Sequence, residues 1–178
     1  SLLARLGTSK PVEPIADRQV LIDGFDLETF GRAPAKFDEA ELERLNAAIV
    51  HQLEFDEVKD RLPTGIDEAG WHAIRPNLSH VTEAAEWWRL VTGPIEQPAF
   101  SDEDRAFLAE AAAALEWSDN PWGTLTAALK ERTRRKGKPL FLPLRQALTG
   151  MDHGPDMSEL LPLIGEQEAR ARLARAAG

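Results

Sequence analysis

The chain has 178 residues, of which 43% are hydrophobic, and a net charge of −9. It contains no cysteine, which excludes disulfides and thiolate metal sites. No uninterrupted apolar stretch has the length of a membrane span and no signal peptide is recognisable, so we expect a cytoplasmic protein without a membrane partner.

Residues 1–36 predict short helices that are interrupted by glycine and proline residues. Leu2, Leu3 and Leu6 have helical spacing from the first residue onward. We interpret this abrupt start as that of a fragment cut from a longer polypeptide, with a processed terminus as the alternative.

A series of helices is predicted in the remainder of the first half. Asp38 is the expected N-cap of the first of them, whose apolar face comprises Leu42, Leu45, Ile49 and Leu53. A shorter helix follows and is stopped by Pro63. Asp67 begins the third helix, and Ser79 or Thr82 is expected to cap the fourth.

The Pro-rich residues 93–100 mark the predicted boundary between two parts, residues 1–92 and residues 93–178. Almost no segment in either part alternates with period two. The expected fold class is therefore all-α, with two consecutive helical subdomains.

In the second part, Ser101 is expected to cap the first helix, and Asp119 or Asn120 the next, which has a proline in its first turn. That second helix is predicted to continue through a basic stretch as far as Gly137. A further helix ends at Gly150, and two more complete the chain.

Basic side chains are concentrated in residues 130–138, in a chain that is acidic elsewhere. Glu131 is the only acidic residue of this stretch, whereas Arg105 is the only basic residue of the preceding residues 93–129. The basic side chains are Lys130, Arg132, Arg134, Arg135, Lys136 and Lys138, with Arg145 close behind. A helix dipole accounts for only a few such charges, so the cluster indicates a surface that faces a polyanion.

Arg145 lies on the helix that ends at Gly150, and the next turn leads to a helix N-terminus at Asp156 or Met157. An arginine fork and free backbone N–H groups are expected to converge there. Such a surface suits base edges and phosphates.

Metal and catalytic sites are not indicated. The histidines lack the three- or four-residue spacing that places two imidazoles on one helix face. The chain has no glycine-rich phosphate loop and no serine nucleophile in an elbow. We therefore expect this chain itself not to be a catalyst.

The positions of four of the five tryptophans are informative. Trp71, Trp88 and Trp122 lie on apolar helical faces and are predicted to be core residues, with base stacking as the alternative. Trp87 and Trp88 diverge by about 100° on a helix, so we expect one of them to reach an interface.

Residues 136–165, KGKPLFLPLRQALTGMDHGPDMSELLPLIG, strongly resemble the anticodon-binding, C-terminal end of bacterial glutamyl-tRNA synthetases, which are class I enzymes. The RQALTG run that begins at Arg145, with the Gly154–Pro155 turn, is the most specific part. Residues 25–50 look like the helical segment after the family's catalytic domain, and residues 1–9 like the stretch beyond its KMSKS-type loop. The resemblance covers the whole chain but includes neither ATP-site signature.

This resemblance implies an all-α stem-contact region followed by an all-α cage for the splayed anticodon bases. It implies tRNA(Glu) as the partner and a monomeric parent ligase that acts in protein biosynthesis. ATP and Mg²⁺ are then used in the missing catalytic domain, with no cofactor in this fragment. By position, the implied tRNA-binding residues are Arg145, Asn77, Arg75, Lys136, Lys138, Arg135, Leu142, His153, Gly154, Pro155 and Met157.

Asn77 departs from the family members that reject glutamine tRNA, which can place an arginine there to favour C at the first anticodon position. We hypothesise that Asn77 relaxes this discrimination, so that the parent also charges tRNA(Gln). The alternative is that Asn77 only caps the helix that follows. A competing function for the whole chain is a helical protein-interaction module that binds an acidic partner through its basic patch and an exposed tryptophan.

Overall fold

The computed structural model describes residues 1–32 and 34–178, and within these ranges it contains helices and loops but no β-strand. The predicted all-α fold class is confirmed. The α-helices are α1 (Leu2–Arg5), α2 (Arg18–Asp23), α3 (Glu39–Val50), α4 (Phe55–Val58), α5 (Glu68–Ile74), α6 (Ala84–Thr92), α7 (Asp102–Ala114), α8 (Pro121–Thr133), α9 (Lys138–Thr149), α10 (Met157–Ile164) and α11 (Glu166–Ala177). In the described part of the chain, none of them combines the length and the apolar character that crossing a bilayer requires.

Most of the predicted N-caps are confirmed. In each case the side chain accepts a hydrogen bond from a backbone N–H of the first helical turn. These pairs are Asp38 with Ala40, Asp67 with Gly70, Ser101 with Asp104, and Asn120 with Gly123. The helix starts could be predicted because a cap and its partner are neighbours in sequence.

The predicted cap of α6 is wrong. The Glu83 carboxylate accepts hydrogen bonds from the N–H groups of Ser79 and His80, at 2.8 and 3.2 Å, and a 3-10 turn (Val81–Glu83) precedes the helix. Glu83 reaches back to these groups, whereas Ser79 is itself one of the capped residues. The helix start is therefore stabilised without a contribution from Asn77.

Helix α8 also ends earlier than predicted. Its last residue is Thr133, whose Oγ1 donates to the carbonyl oxygen of Leu129 over 2.7 Å and accepts from the N–H of Arg135. Arg134 then adopts a left-handed conformation, with φ +58°, which stops the helix. Residues 134–137, of which the first three are basic, therefore form the connection between α8 and α9.

Two groups of buried side chains form the core. The smaller group contains Trp71, Ile74 and their neighbours from residues 50–84, and the larger is built mainly from α7 to α11. Trp88 packs against both groups, and α10 contacts α5 and α6. Trp71 is fully buried as predicted, but Leu42 on the expected apolar face of α3 is 42% exposed.

A buried arginine fixes the last helix to the rest of the chain. The side chain of Arg172 in α11 is inaccessible to solvent, and its guanidinium donates to the carbonyl oxygens of Leu90, Leu148 and Gly93 and to the Glu168 carboxylate. These carbonyls lie at the C-terminal ends of α6 and α9. Arg172 therefore sets the position of the helix that carries Arg145.

The connection between the two predicted parts packs against the same region. The Gln97 side-chain amide donates to the carbonyl oxygens of Ala147 and Arg172, at 2.6 and 2.8 Å. The carbonyl of Glu96 lies directly against Gly150, at the end of α9. Residues 96 and 97 are thus held on the larger core.

Candidate nucleic-acid interface

Helix α9 and the turn after it present the candidate site. Helix α9 has a proline in its first turn and ends at Gly150, whose φ of +75° is readily adopted by glycine. Asp156 then caps α10 by accepting a hydrogen bond from the N–H of Ser158 at 2.7 Å. Residues 150–156 are thereby fixed at both ends, next to Arg145.

The Arg145 side chain is held by this turn. Its Nη1 donates a hydrogen bond to the carbonyl oxygen of Pro155 at 3.0 Å. Partial burial lowers the pKa of Arg145, while the nearby Asp156 carboxylate opposes that shift. The guanidinium remains charged at neutral pH, and its remaining donors are suited to bidentate contacts with a base or a phosphate.

A shallow cavity of about 260 Å³ lies beside Arg145. It is lined by Lys138, Phe141, Leu142, Arg145 and Asp152. Phe141 is 37% exposed, and the Nζ atom of Lys130 lies 5.4 Å from the centre of its ring. The cavity therefore combines cations, an aromatic face and a carboxylate acceptor, which together can stack on a base and contact its edge and its phosphate.

Several of the predicted binding residues come together here. Leu142, Lys138 and Arg145 line the cavity, and His153, Gly154 and Pro155 form the adjacent turn. The His153 ring contacts the Asp152 carboxylate at 2.6 Å, and this hydrogen bond lowers the pKa of Asp152. The sequence pattern did not single out Phe141 or Asp152, although an aromatic residue within a basic stretch was an available signal.

Met157 does not belong to this surface. Its side chain is only 2% exposed and lies in the larger core. The reason is its place in the first turn of an amphipathic helix, with Leu160, Leu161 and Ile164 buried behind it. The Met157 side chain thus packs in the core, and the role of this position in tRNA binding stays a prediction.

Arg135 is also engaged within the protein. Its guanidinium contacts Asp104 and Glu103, at 2.7 Å in each case, and lies 4.4 Å from the centre of the Phe107 ring. The side chain is 14% exposed. Arg135 thus fixes the connection after α8 to helix α7, whereas Lys136 and Lys138 are exposed.

The two predicted residues from the first half lie near the end of α5. Arg75 donates from Nη1 to the carbonyl oxygen of Leu53 at 2.8 Å and contacts Glu54 at 3.5 Å. Its side chain is 18% exposed, so its observed contacts are internal. Asn77 ends the 3-10 turn Arg75–Asn77 and is half-exposed.

Comparison with known proteins reveals similarity along the whole chain. A family model for the anticodon binding domain matches residues 72–177. Glutamate–tRNA ligase 2 of Erythrobacter litoralis (strain HTCC2594) is 78% identical over 177 residues, which are 99% of this chain and 39% of the relative. Glutamate–tRNA ligase 1 of Novosphingobium aromaticivorans is 61% identical over 176 residues, 97% of this chain and 40% of the relative. The chain thus spans about two fifths of the length of these relatives.

A solved structure with a similar fold is that of a glutamate tRNA ligase from Elizabethkingia meningosepticum CCUG26117 in complex with its amino acid. The TM-score is 0.71 at 19% sequence identity, covering 92% of this chain and 37% of the other. A glutamate–tRNA synthetase from Elizabethkingia anophelis gives a TM-score of 0.70 at 17% identity, covering 99% and 39%. These structures bear on the fold, and the family match over residues 72–177 shows that the chain belongs to the anticodon-binding domain family.

Proposed function

We propose that the chain is the tRNA-recognition part of a glutamate–tRNA ligase and that it binds the anticodon arm of tRNA(Glu). The similarity to two fifths of the length of such ligases supports this assignment. The structural observation that carries it is the Arg145 guanidinium, oriented by the Pro155 carbonyl at the edge of a cavity that contains Phe141 and Lys138.

Recognition at this site rests on complementary contacts. The Pro155 carbonyl fixes one nitrogen of Arg145, so the guanidinium fork presents its other donors in a defined direction. A bidentate arginine contact with a base contributes about 1–3 kcal/mol of discrimination. Stacking on an aromatic side chain such as Phe141 contributes a similar amount, about 1–3 kcal/mol per base. Lys136 and Lys138 supply sequence-independent attraction to phosphates.

The chemistry of the proposed ligase lies outside this chain. ATP and Mg²⁺ would serve glutamate activation in a separate catalytic domain, and residues 1–178 would contribute recognition only. We further propose that the ligase is monomeric and acts in the cytoplasm, where charged tRNA is consumed.

We also propose that residues 1–92 form the linker and stem-contact region and residues 93–178 the anticodon-binding domain. The two separate groups of buried side chains support this division. The family match begins at residue 72, and α10 contacts α5 and α6. The two parts are therefore proposed to bind RNA as one surface.

Binding of the tRNA(Glu) anticodon stem-loop to the chain tests this function. We expect a salt-sensitive complex that Arg145→Ala weakens by about 5- to 150-fold, the equivalent of one bidentate contact. Arg170→Ala is the matched control, because Arg170 is an exposed arginine on α11 that pairs with Glu166.

Equal affinity of the wild type and Arg145→Ala would refute the proposed role of Arg145. Indifference of the chain to the stem-loop, or to changes in its anticodon bases, would favour the competing function, a helical module that binds an acidic protein partner. Titration with the stem-loop therefore distinguishes RNA recognition from binding of an acidic protein.

A further inference from the structure

Trp87 covers the turn that holds Arg145. A Cβ atom added to Gly154 would lie 2.7 Å from Cζ3 of Trp87 and 3.6 Å from Nη1 of Arg145. The first distance is too short for a real contact, so the indole occupies the space that any larger side chain at residue 154 would need. Gly154 also has a φ of +130°, which L side chains rarely adopt.

The indole connects this turn to the first half of the chain. Trp87 lies in α6 and packs against the smaller core. Its ring meets the ring of His153 edge-on, with the centroids 6.3 Å apart and the planes at 82°. One side chain of α6 thus contacts two consecutive residues of the turn that carries Pro155.

Open space lies next to the Trp87 indole. Trp87 borders a second cavity, of about 420 Å³, lined also by Glu83, Glu86, Arg89, Leu90 and Met151. A smaller side chain at residue 87 would enlarge this open space. The turn would then lose the surface against which it packs.

We propose that Trp87 is a positioning residue of the RNA site. By covering Gly154 it fixes residues 152–155, and through them the Pro155 carbonyl that orients the Arg145 guanidinium. This inference rests on the proposed recognition of RNA by Arg145 and adds the element that holds Arg145 in its binding geometry. Trp87 and Trp88 point in different directions from α6, as their adjacent positions on a helix predict. Trp88 packs against both cores, whereas Trp87 reaches the turn.

The order of the turn can be measured without RNA. In Trp87→Ala, we expect ¹⁵N relaxation of the Gly154 amide to change from that of a rigid residue to that of a mobile one. Trp117→Ala is the matched control, because Trp117 is also a partly buried indole but packs against the larger core. Unchanged rigidity of Gly154 in Trp87→Ala would overturn the proposal.

The effect on binding is measured with the tRNA(Glu) anticodon stem-loop. Trp87→Ala is expected to weaken the complex by about tenfold, within the range for residues that act through another, and Trp117→Ala to leave it unchanged. Gly154→Ala is expected to weaken it similarly, because its methyl group would displace the indole. Gly165→Ala controls for backbone strain, since Gly165 has a φ of +82° and no atom within 4 Å of an added Cβ.

The double variant Trp87→Ala/Gly154→Ala separates the effect of the clash with the indole from the effect of backbone strain at residue 154. Backbone strain at residue 154 is common to both backgrounds, whereas the clash with the indole exists only when Trp87 is present. Gly154→Ala should therefore cost less affinity in Trp87→Ala than in the wild type, and additive losses would contradict the proposal. If Trp87→Ala does not fold, the stem-loop affinities of Gly154→Ala and Gly165→Ala are compared instead. Equal affinities of these two variants would then contradict the proposal.

The result also separates this inference from the proposed function. If Arg145→Ala leaves binding unchanged while Gly154 becomes mobile in Trp87→Ala, the RNA-binding role of Arg145 fails and the packing role of Trp87 stands. If Arg145→Ala weakens binding while Trp87→Ala alters neither mobility nor affinity, only the inference about Trp87 fails.

Discussion

The Nη1 atom of Arg172 donates a hydrogen bond to the carbonyl oxygen of Leu148, 2.7 Å away, and thereby joins the last helix to the end of the helix that carries Arg145. The same guanidinium binds the Leu90 and Gly93 carbonyls at the end of α6. Its charge faces the C-terminal ends of two helices, where the backbone dipoles favour a cation. A fully buried arginine thus serves as a three-way connection.

Arg172→Ala should be among the most destabilising substitutions in the chain. It leaves several buried carbonyls without a donor, and removing one partner of a buried charged network costs about 3–5 kcal/mol. Arg172→Lys should recover only part of this free energy of unfolding, because an ammonium lacks the planar fork. Urea unfolding measures both, with Arg170→Ala as a control expected to change stability by about 0.5 kcal/mol or less. Equal stability of the Arg172 and Arg170 variants would show that the network contributes little.

Arg135 and Lys136 are adjacent in the basic stretch, but we expect the first to contribute to stability and the second to RNA binding. Arg135→Ala removes the ion pairs with Glu103 and Asp104, and we expect a loss of about 1–3 kcal/mol in the free energy of unfolding. Lys136→Ala should leave stability unchanged and lower the salt dependence of stem-loop binding by about one unit of slope. Thermal unfolding and salt titration separate the two effects. Loss of RNA affinity in Arg135→Ala without loss of stability would contradict this assignment.

Acid should weaken the contact between α7 and the connection after α8. The hydrogen bond from Arg135 holds the pKa of Asp104 below its usual value of 3.8. A lowered folded-state pKa means that the stabilisation is present above that usual value and is lost as the pH falls through the lowered pKa. The difference in urea midpoint between the wild type and Asp104→Asn should therefore shrink on acidification below about pH 3.8.

Asp102→Asn is the control for that experiment, since Asp102 lies in the same first turn of α7 and experiences the same helix dipole. The two variants should differ in their pH dependence. A parallel response of both would mean that the dipole, and not the Arg135 contact, governs the effect.

Asn77→Arg should introduce a preference for C at the first anticodon position if residue 77 contacts that base. An arginine offers two donors to a base edge, and one such contact corresponds to about 5- to 150-fold in relative affinity. Two stem-loops that differ only in C or U at that position provide the measurement. Thr82→Arg is the control for added charge, because residue 82 is exposed and nearby in sequence. An equal gain for both stem-loops would refute a specific role for residue 77.

The sequence was most informative where structure is determined locally. The caps at Asp67, Ser101 and Asn120 could be predicted because each acceptor and its N–H partner lie within three residues. The cap of α6 was missed because Glu83 reaches backward to Ser79. The end of α8 at Thr133 was missed because it depends on the left-handed conformation of Arg134. Few sequence patterns predict this conformation for a residue other than glycine.

The candidate site was predictable only in part. The RQALTG run and the turn after it led to Arg145, Gly154 and Pro155. Neither Trp87 nor Arg172 could be assigned, because each acts on residues far away in the chain. The position of Arg172 in the helix was nevertheless informative, because it shares a face with Ala169, Leu173 and Ala176. An arginine on such an apolar face is unexpected unless buried hydrogen-bond acceptors are available to it.

Gly150, the last residue of the RQALTG run, also has a structural role. Its positive φ ends α9, and the carbonyl of Glu96 lies directly against it. Any side chain at this position would push the connecting segment off the helix, away from the acceptors that bind Gln97. This glycine, five residues after the proposed RNA-binding arginine, therefore also marks the place where residues 96 and 97 pack against the end of α9.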